Sequence, residues 1–485
     1  MFQTEFWTAQ DGTLWMYGGR DTDAQEYAAL WKYDPVGNTW TWIKGPNTYS
    51  FEGNFGTMGV PAPSNLPPAK SYCMMSWTDL DGNFWMYGGR NGSQFGNGVE
   101  NNDLWRYEVA TNNWTWMKGS QVDNPSAVWG VKGVPNSTNQ PPALTLALTW
   151  TDDVGDLWMF GGYSTQFLGR YNAVWRYQIS TNTWTWMAGE DTINPPANYG
   201  SMGVPAPTNA PSGRYAQSLG KSSDGKLWFY GGTTSGNFQY RDLWSFNTMT
   251  ALFTWEGGAQ GFPNSLQNGP DYGVLCTYSP LDSIGGRRGT TWRDSHDRLW
   301  LFGEATDGSN PYSRNDLWSY CTTSDQWTWV TGPSVTNDPG SWGTVGVSSP
   351  NNRPNGRLFA ASWTGADGSL YVYGGLEAGS FFPTHNDLWR FVPDLTCAPC
   401  ATTTAVEDVS ASENLRIVRD QQGLGVLLPP GVWQVQVHDV IGRLLHTQQA
   451  QGQVYLQRLT TAAGLCIVSA TDEKGNRRTA QVRIN

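Results

Sequence analysis

A five-residue signature returns six times along this chain, and its spacing limits the fold more than any other feature. It reads Trp15-Met16-Tyr17-Gly18-Gly19, Trp85-Met86-Tyr87-Gly88-Gly89, Trp158-Met159-Phe160-Gly161-Gly162, Trp228-Phe229-Tyr230-Gly231-Gly232, Trp300-Leu301-Phe302-Gly303-Glu304 and Tyr371-Val372-Tyr373-Gly374-Gly375. Successive first glycines lie 70, 73, 70, 72 and 71 residues apart. A fixed period of this size means one supersecondary unit repeated, each copy burying its apolar face against its neighbours. Most conspicuous residues are then expected to be scaffold.

Each unit offers four short strands. Residues 71–78 lead to the turn Asp81-Gly82, and Phe84 to Tyr87 follow. An Asp-Gly pair between two apolar runs predicts a type I′ hairpin, which needs φ > 0 at both central positions. It recurs as Asp11-Gly12, Asp224-Gly225 and Asp367-Gly368. A variable stretch then leads to a third strand, Asn102-Asp103-Leu104-Trp105-Arg106-Tyr107, and a short turn to a fourth, Trp114-Thr115-Trp116. Alternation places both fourth-strand indoles on one sheet face. The expectation is an all-β chain whose residues 1–396 form six four-stranded antiparallel blades, a six-bladed β-propeller.

These residues resemble the kelch family, the propeller type shared with the central domain of galactose oxidase. The likeness rests on Gly-Gly after strand two, the Trp and Tyr of strand three and the Trp of strand four. It implies a fold and no particular activity, since such propellers host enzymes and binding proteins alike. The join is irregular. The first copy opens inside its first strand at Met1-Phe2-Gln3-Thr4, and the sixth gives Val392-Pro393-Asp394-Leu395 where a Trp-Thr-Trp strand should follow. The start of the chain also lacks the positive and apolar regions of a secretory signal peptide. The expectation is one missing upstream segment that carried both leader and strand.

Net charge is −11 and unevenly placed. Residues 414–485 hold eight Lys and Arg against four Asp and Glu, which leaves the rest strongly acidic and a poor nucleic-acid binder. No apolar run approaches a membrane span. Among six cysteines, Cys397 and Cys400 form a lone C-x-x-C, expected to be a local disulfide or free thiols. Zinc would need two further ligands nearby, and a redox motif a thioredoxin-like context.

Residues 397–413, rich in Ala, Thr and Ser, read as a linker. Beyond it seven short strands are expected in residues 414–485: Leu415 to Arg419, Gly425 to Leu428, Val432 to Asp439, Arg443 to Thr447, Val454 to Leu459, Leu465 to Asp472 and Arg478 to Ile484. They predict a small C-terminal β-sandwich. The run Val435-Gln436-Val437-His438-Asp439-Val440-Ile441-Gly442-Arg443 and the strand Ala463-Gly464-Leu465-Cys466-Ile467-Val468 resemble the sorting domains of type IX secretion, with Cys466 where Tyr is usual. The resemblance implies Asp439, Gly442, Arg443 and Gly464 as the sorting motif, the type IX machinery as partner, and delivery to the extracellular or outer-membrane surface of a Bacteroidetes-type bacterium.

Likeness to galactose oxidase invites a copper-oxidase reading, which requires two His and two Tyr ligands. The four histidines are His296, His385, His438 and His446, the last two in the C-terminal module, so no copper, other metal or cofactor is expected. Asp79-Leu80-Asp81-Gly82 lacks full calcium-loop spacing, and no Gly-x-Ser-x-Gly nucleophile motif occurs. Of 28 tryptophans, 27 fall at repeat-equivalent positions, so packing between blades is their simplest role and sugar stacking the weaker one.

Antiparallel order puts the long two-to-three and inter-blade connections at one end. The inter-blade segments repeat, as in Phe55-Gly56-Thr57-Met58-Gly59-Val60-Pro61 and Tyr199-Gly200-Ser201-Met202-Gly203-Val204-Pro205, and read as a structural collar. The two-to-three loops vary, and variable loops on a rigid scaffold carry recognition. They offer Arg20, Tyr27, Arg90, Phe95, Phe167, Arg170, Phe238, Tyr240, Tyr312, Arg314, Phe381 and Phe382 as candidate binding residues for a protein or glycan ligand. The leading expectation is a secreted or cell-surface binding protein. The alternatives are a glycan-active hydrolase or lyase using loop carboxylates near a central channel, and a structural or adhesive surface component.

Overall fold

The computed structural model describes residues 4–484 apart from 22, 24, 72–74, 92–98, 216–219, 234–238, 262–271, 278–283, 285–288, 295–297, 306–312, 323, 325, 358–359, 366, 378–383, 395, 398–399, 401–415, 421–422, 440–443, 456–463, 473 and 475–476. Two compact units divide the chain, residues 1–400 and 401–485. Both are built from small antiparallel sheets, and no described helix is long and apolar enough to cross a membrane.

In the first unit each sequence repeat makes one sheet. The first has Glu5–Thr8, Leu14–Tyr17, Leu30–Asp34 and Thr39–Lys44 in order. The second has Ser76–Thr78, Phe84–Tyr87, Leu104–Glu108 and Asn113–Lys118, and the third Leu148–Thr151, Leu157–Phe160, Val174–Gln178 and Thr183–Ala188. The fifth has Thr290–Arg293, Arg298–Ala305, Ser313–Cys321 and Gln326–Thr331. Three strands are described in the fourth (Lys226–Tyr230, Arg241–Asn247, Leu252–Ala259), and its residues 216–219 lie outside the described ones. Three are described in the sixth (Ala361–Thr364, Leu370–Tyr373, Leu388–Phe391).

The turns between first and second strands differ from the expected type I′ pair. Gly12 and Gly82 have φ of +79° and +83°, but Asp11 and Asp81 are not left-handed. The loop is longer because an acid at its start closes it. Asp79 Oδ1 accepts from the Asp81 and Asn83 N–H groups, and its Oδ2 accepts from Trp85 Nε1 at 2.8 Å. Asp152 and Asp294 do the same for Trp158 and Trp300. These acids tie three strand-two indoles to their own turns, whereas Trp15 and Trp228 donate to the Thr13 and Ser222 hydroxyls.

Sheets pack through a repeated aromatic contact, the last ring of strand two against the first ring of the next sheet's strand four. The pairs are Tyr17–Trp114, Tyr87–Trp184, Phe160–Phe253 and Tyr230–Trp327, at centroid distances of 5.3, 5.5, 5.7 and 5.5 Å. Each such pair contributes about 0.5–1.5 kcal/mol beyond area burial. The same contact joins the sixth sheet to the first, Tyr373 to Trp40 at 5.2 Å. Strand Glu5–Thr8 accordingly lies beside both Ser76–Thr78 and Ala361–Thr364.

Under three of the double glycines sits a buried ion pair. Arg214 Nη1 donates to the Gly231 carbonyl at 2.9 Å, and the guanidinium grips Asp242 at 2.7 and 2.9 Å. Asp242 also accepts from Trp244 Nε1. Lys70 with Asp103 and Arg357 with Asp387 repeat the arrangement on Gly88 and Gly374. A Cβ at Gly88 would lie 2.9 Å from the Leu144 carbonyl, and at Gly18 2.8 Å from that of Lys70. Both φ values are positive, so only glycine fits.

Cys397 and Cys400 do not form the expected local disulfide. Cys397 pairs with Cys276 and Cys400 with Cys321, so both reach back to the fifth repeat. Cys397 packs in the cluster of Trp292, Trp300 and Phe302, beside the ring a sixth-sheet strand-four Trp would meet. Cys397 and Cys400 therefore belong to the first unit rather than to a linker.

The second unit is a five-stranded antiparallel sheet rather than seven separate strands. Gly423–Asp439 pairs with Arg416–Asp420, Leu444–Tyr455 and Gly464–Asp472, and the last also pairs with Arg477–Ile484. Two expected strand pairs fuse into long strands. Pro429 and Pro430, which have no N–H to donate, interrupt the ladder between Leu427 and Val432. Trp433, Val435, Val437, Val468 and Ala470 are buried at alternate positions.

Candidate functional site

After three of the double glycines the second strand resumes for one or two residues and pairs on both sides. Arg90 pairs with Ser71 and Glu100, Tyr163 with Thr145 and Arg170, and Thr233 with Tyr215 and Gln239. A left-handed Asn from the inter-sheet connection clips this end in place. Asn124 and Glu100 exchange N–H···O bonds of 2.9 and 2.8 Å, as do Asn194 with Arg170 and Asn337 with Ser313. Their φ values are 49°, 53° and 57°, a conformation that Asn tolerates.

In the third repeat this produces a small rigid hairpin, Tyr163-Ser164 against Gly169-Arg170. Glu100 of the second repeat holds it from the side. Ser164 Oγ donates to Glu100 Oε2 at 3.0 Å, and the Thr165 N–H donates to Oε1 and Oε2 at 2.8 and 2.9 Å. Burial pushes the Glu100 carboxyl up to about 6, against the opposing pull of those donors and of Arg90. Arg170 stacks over Tyr163 at 4.8 Å and Tyr215 at 5.6 Å, with the two rings 5.1 Å apart. Its Nη1 donates to the Leu168 carbonyl at 3.1 Å. The turn of the hairpin presents Phe167 and Leu168, 48% and 68% exposed. An exposed apolar tip thus stands on a base tied down by hydrogen bonds and ring stacking.

The other candidate residues distribute differently. Arg20, Arg170 and Tyr240 are buried and do not offer themselves as exposed anchors. Tyr240 lies over the Arg214 guanidinium at 4.2 Å and shields the ion pair beneath. Tyr27 is half-buried and donates its hydroxyl to Asp21, which with burial raises its pKa. Half-buried Arg314 braces the Tyr272 hydroxyl and the Ser334 carbonyl. Arg90 is half-buried beside Glu100. Phe95, Phe238, Tyr312, Phe381 and Phe382 lie outside the described residues. In the second unit Asp439 ends its strand opposite Cys466 and Gly464 lies opposite Ile484, whereas Gly442 and Arg443 lie outside the description.

Sequence reasoning missed Tyr163, Glu100 and Tyr215. Tyr163 carried a usable signal, because it directly follows a double glycine, where the chain must re-pair at the same end. A second missed grouping is His385, whose Nε2 lies 3.5 Å from Glu377 Oε2 and 3.0 Å from Asn355 Nδ2. Burial and Arg357 push its pKa below the ordinary value. Among the described residues no group of His, Cys, Asp and Glu could hold a metal ion. No protein-family model matches the chain, and no curated protein matches it either.

Proposed function

We propose that this chain is a secreted or cell-surface recognition protein, a six-bladed kelch-like propeller that binds a protein or glycan through its long-loop end. The observation carrying this reading is the hairpin gripped by Glu100, which holds the exposed Phe167-Leu168 tip on a rigid base. Arg170 stacked on two tyrosines stiffens that base, so little ordering entropy is lost when a ligand arrives. The aromatic contact between sixth and first sheets supports a closed ring. The C-terminal unit, by its likeness to sorting domains, would export the propeller.

The test is ligand capture by the purified full chain on glycan arrays and against surface-protein extracts, repeated with Phe167→Ser. Being exposed, that position tolerates Ser without loss of fold, and the account expects capture to fall at least about tenfold, the scale of an interface anchor. Capture that is absent from the parent, or unchanged in the variant, overturns the reading.

A further inference from the structure

First strands of neighbouring sheets lie side by side, so the fourth strands form the outer edges. Over four of these edges the preceding inter-sheet connection folds back as a collar. Phe55, Trp129, Tyr199 and Tyr272 each wedge between two tryptophans of the sheet below, at centroid distances of 4.7–5.4 Å. A tight turn follows, and its third residue donates its N–H to a fourth-strand carbonyl. The pairs are Gly59 to Trp116, Gly133 to Trp186, Gly203 to Trp255 and Cys276 to Trp329, at 2.7–2.9 Å. Each turn also closes on itself, as where the Val60 N–H donates to the Thr57 carbonyl at 3.0 Å. A fifth turn of this design, Thr344 to Val347, follows Trp342, whose ring packs on Trp389 of the sixth sheet.

These anchored turns present apolar side chains to solvent. Met58 and Val60, Met202 and Val204, and Val345 and Val347 project from three of them, and the turns at 131–134 and 274–277 carry two such residues each. All ten are between 45% and 97% exposed. Scattered exposed apolar side chains are ordinary, but two on the same turn in five repeats are not scatter. The collars also avoid charge. Residues 54–66, 128–140, 198–210 and 341–353 contain no Asp or Glu, in a chain that holds 41 of them. Their two cations are already engaged. Lys132 Nζ donates to the Gly189 carbonyl and lies over the Trp186 ring, and Arg353 pairs with Asp338.

We infer that the collar turns are lateral contact points between copies of this chain, a turn on one copy meeting a turn on its neighbour. The charge pattern selects that partner. Copies of a chain with net charge −11 repel wherever their acidic surfaces meet, and the collars are where two copies approach without opposing acids. A glycan would call for polar groups that these tips lack, and an anionic membrane for lysine and arginine around them. Repetition points the same way, because a partner that engages several turns must itself repeat, as another copy does. Two apolar side chains per copy bury far less than the about 1,000 Å² of a stable interface. Single contacts are therefore weak, and association grows with the number of turns engaged at once. The inference is independent of any ligand at Phe167.

The test is static light scattering of the purified full chain over a concentration series, at about 50 and about 500 mM salt. The expected result is weak attraction that strengthens with salt, because salt screens the acidic repulsion and leaves the apolar contact. Val60→Glu, Val134→Glu, Val204→Glu and Val347→Glu together place four acids on the turns and abolish the attraction at high salt. Val36→Glu, Thr111→Glu, Thr181→Glu and Met249→Glu add the same charge at exposed three-to-four turns and leave it in place. A charge-neutral set, Met58→Ser with Met202→Ser and Val345→Ser, weakens it at least about threefold. Near-UV circular dichroism matching the parent checks that each variant folds. No attraction at either salt, or attraction that both acid sets remove alike, overturns the inference. So does co-sedimentation with phosphatidylcholine vesicles that the four turn acids abolish, since the occupant would then be a lipid surface.

Discussion

The third and fourth repeats solve one buried position in opposite ways. In the fourth, Arg214 and Asp242 bury a charge pair beneath the double glycine, and burial that would lower the arginine pKa is outweighed by Asp242. In the third, the equivalents are Leu144 and Ala173, packed in an apolar cluster with Met75 and Trp175. Both partners change together, as desolvation demands, because a lone buried charge costs far more than either complete solution. The substitution leaves a trace: Trp175 Nε1, whose counterparts donate to Asp103, Asp242 and Asp316, is buried without a partner. The difference teaches that the geometry required here is the close approach of glycine and carbonyl, whereas the charges are one way to fill the space.

That comparison breaks most visibly when one partner goes. Asp242→Ala strands Arg214 and is expected to cost about 3–5 kcal/mol in denaturant unfolding of the first unit. A loss below about 1 kcal/mol would mean that water reaches the site. Glu100 sharpens the point, as a buried carboxylate held by Ser164 and Thr165 rather than by a bonded guanidinium. Its folded value near 6 lies above the unfolded one, so its contribution to stability is complete below about pH 4 and is lost as pH rises through 6. Stability should fall by roughly 2 kcal/mol from this group between pH 4 and pH 7, a slope that Glu100→Gln removes. An unchanged slope in the variant would locate the titration elsewhere. The smallest effect is expected from Arg214→Leu combined with Asp242→Ala, which copies the third repeat and should leave stability within about 2 kcal/mol of the parent, with the single-variant loss largely restored.

The sheets were legible because their signal is periodic. Trp15, Trp85, Trp158 and their strand partners fall where the repeat puts them, and the turn acids Asp79, Asp152 and Asp294 each accept from a strand-two indole. What escaped the sequence was pairing at a distance. Cys397 and Cys400 look local by spacing, yet their partners lie 121 and 79 residues away. In the loops, residue type suggested exposed anchors, but Tyr240 and Arg170 are drawn inward by stacking partners that spacing does not reveal. Glu100 and Tyr163 meet only because neighbouring sheets bring two repeats side by side.

Closure of the six sheets is the claim on which the rest depends, and distances between spin labels at equivalent turns test it. Labels at Asp11→Cys, Asp224→Cys and Asp367→Cys, with Cys73 and Cys466 changed to Ser, mark the first, fourth and sixth repeats. A closed arrangement predicts that the 11–367 distance is shorter than the 11–224 distance. An open array predicts the reverse order, and observing it would contradict the account.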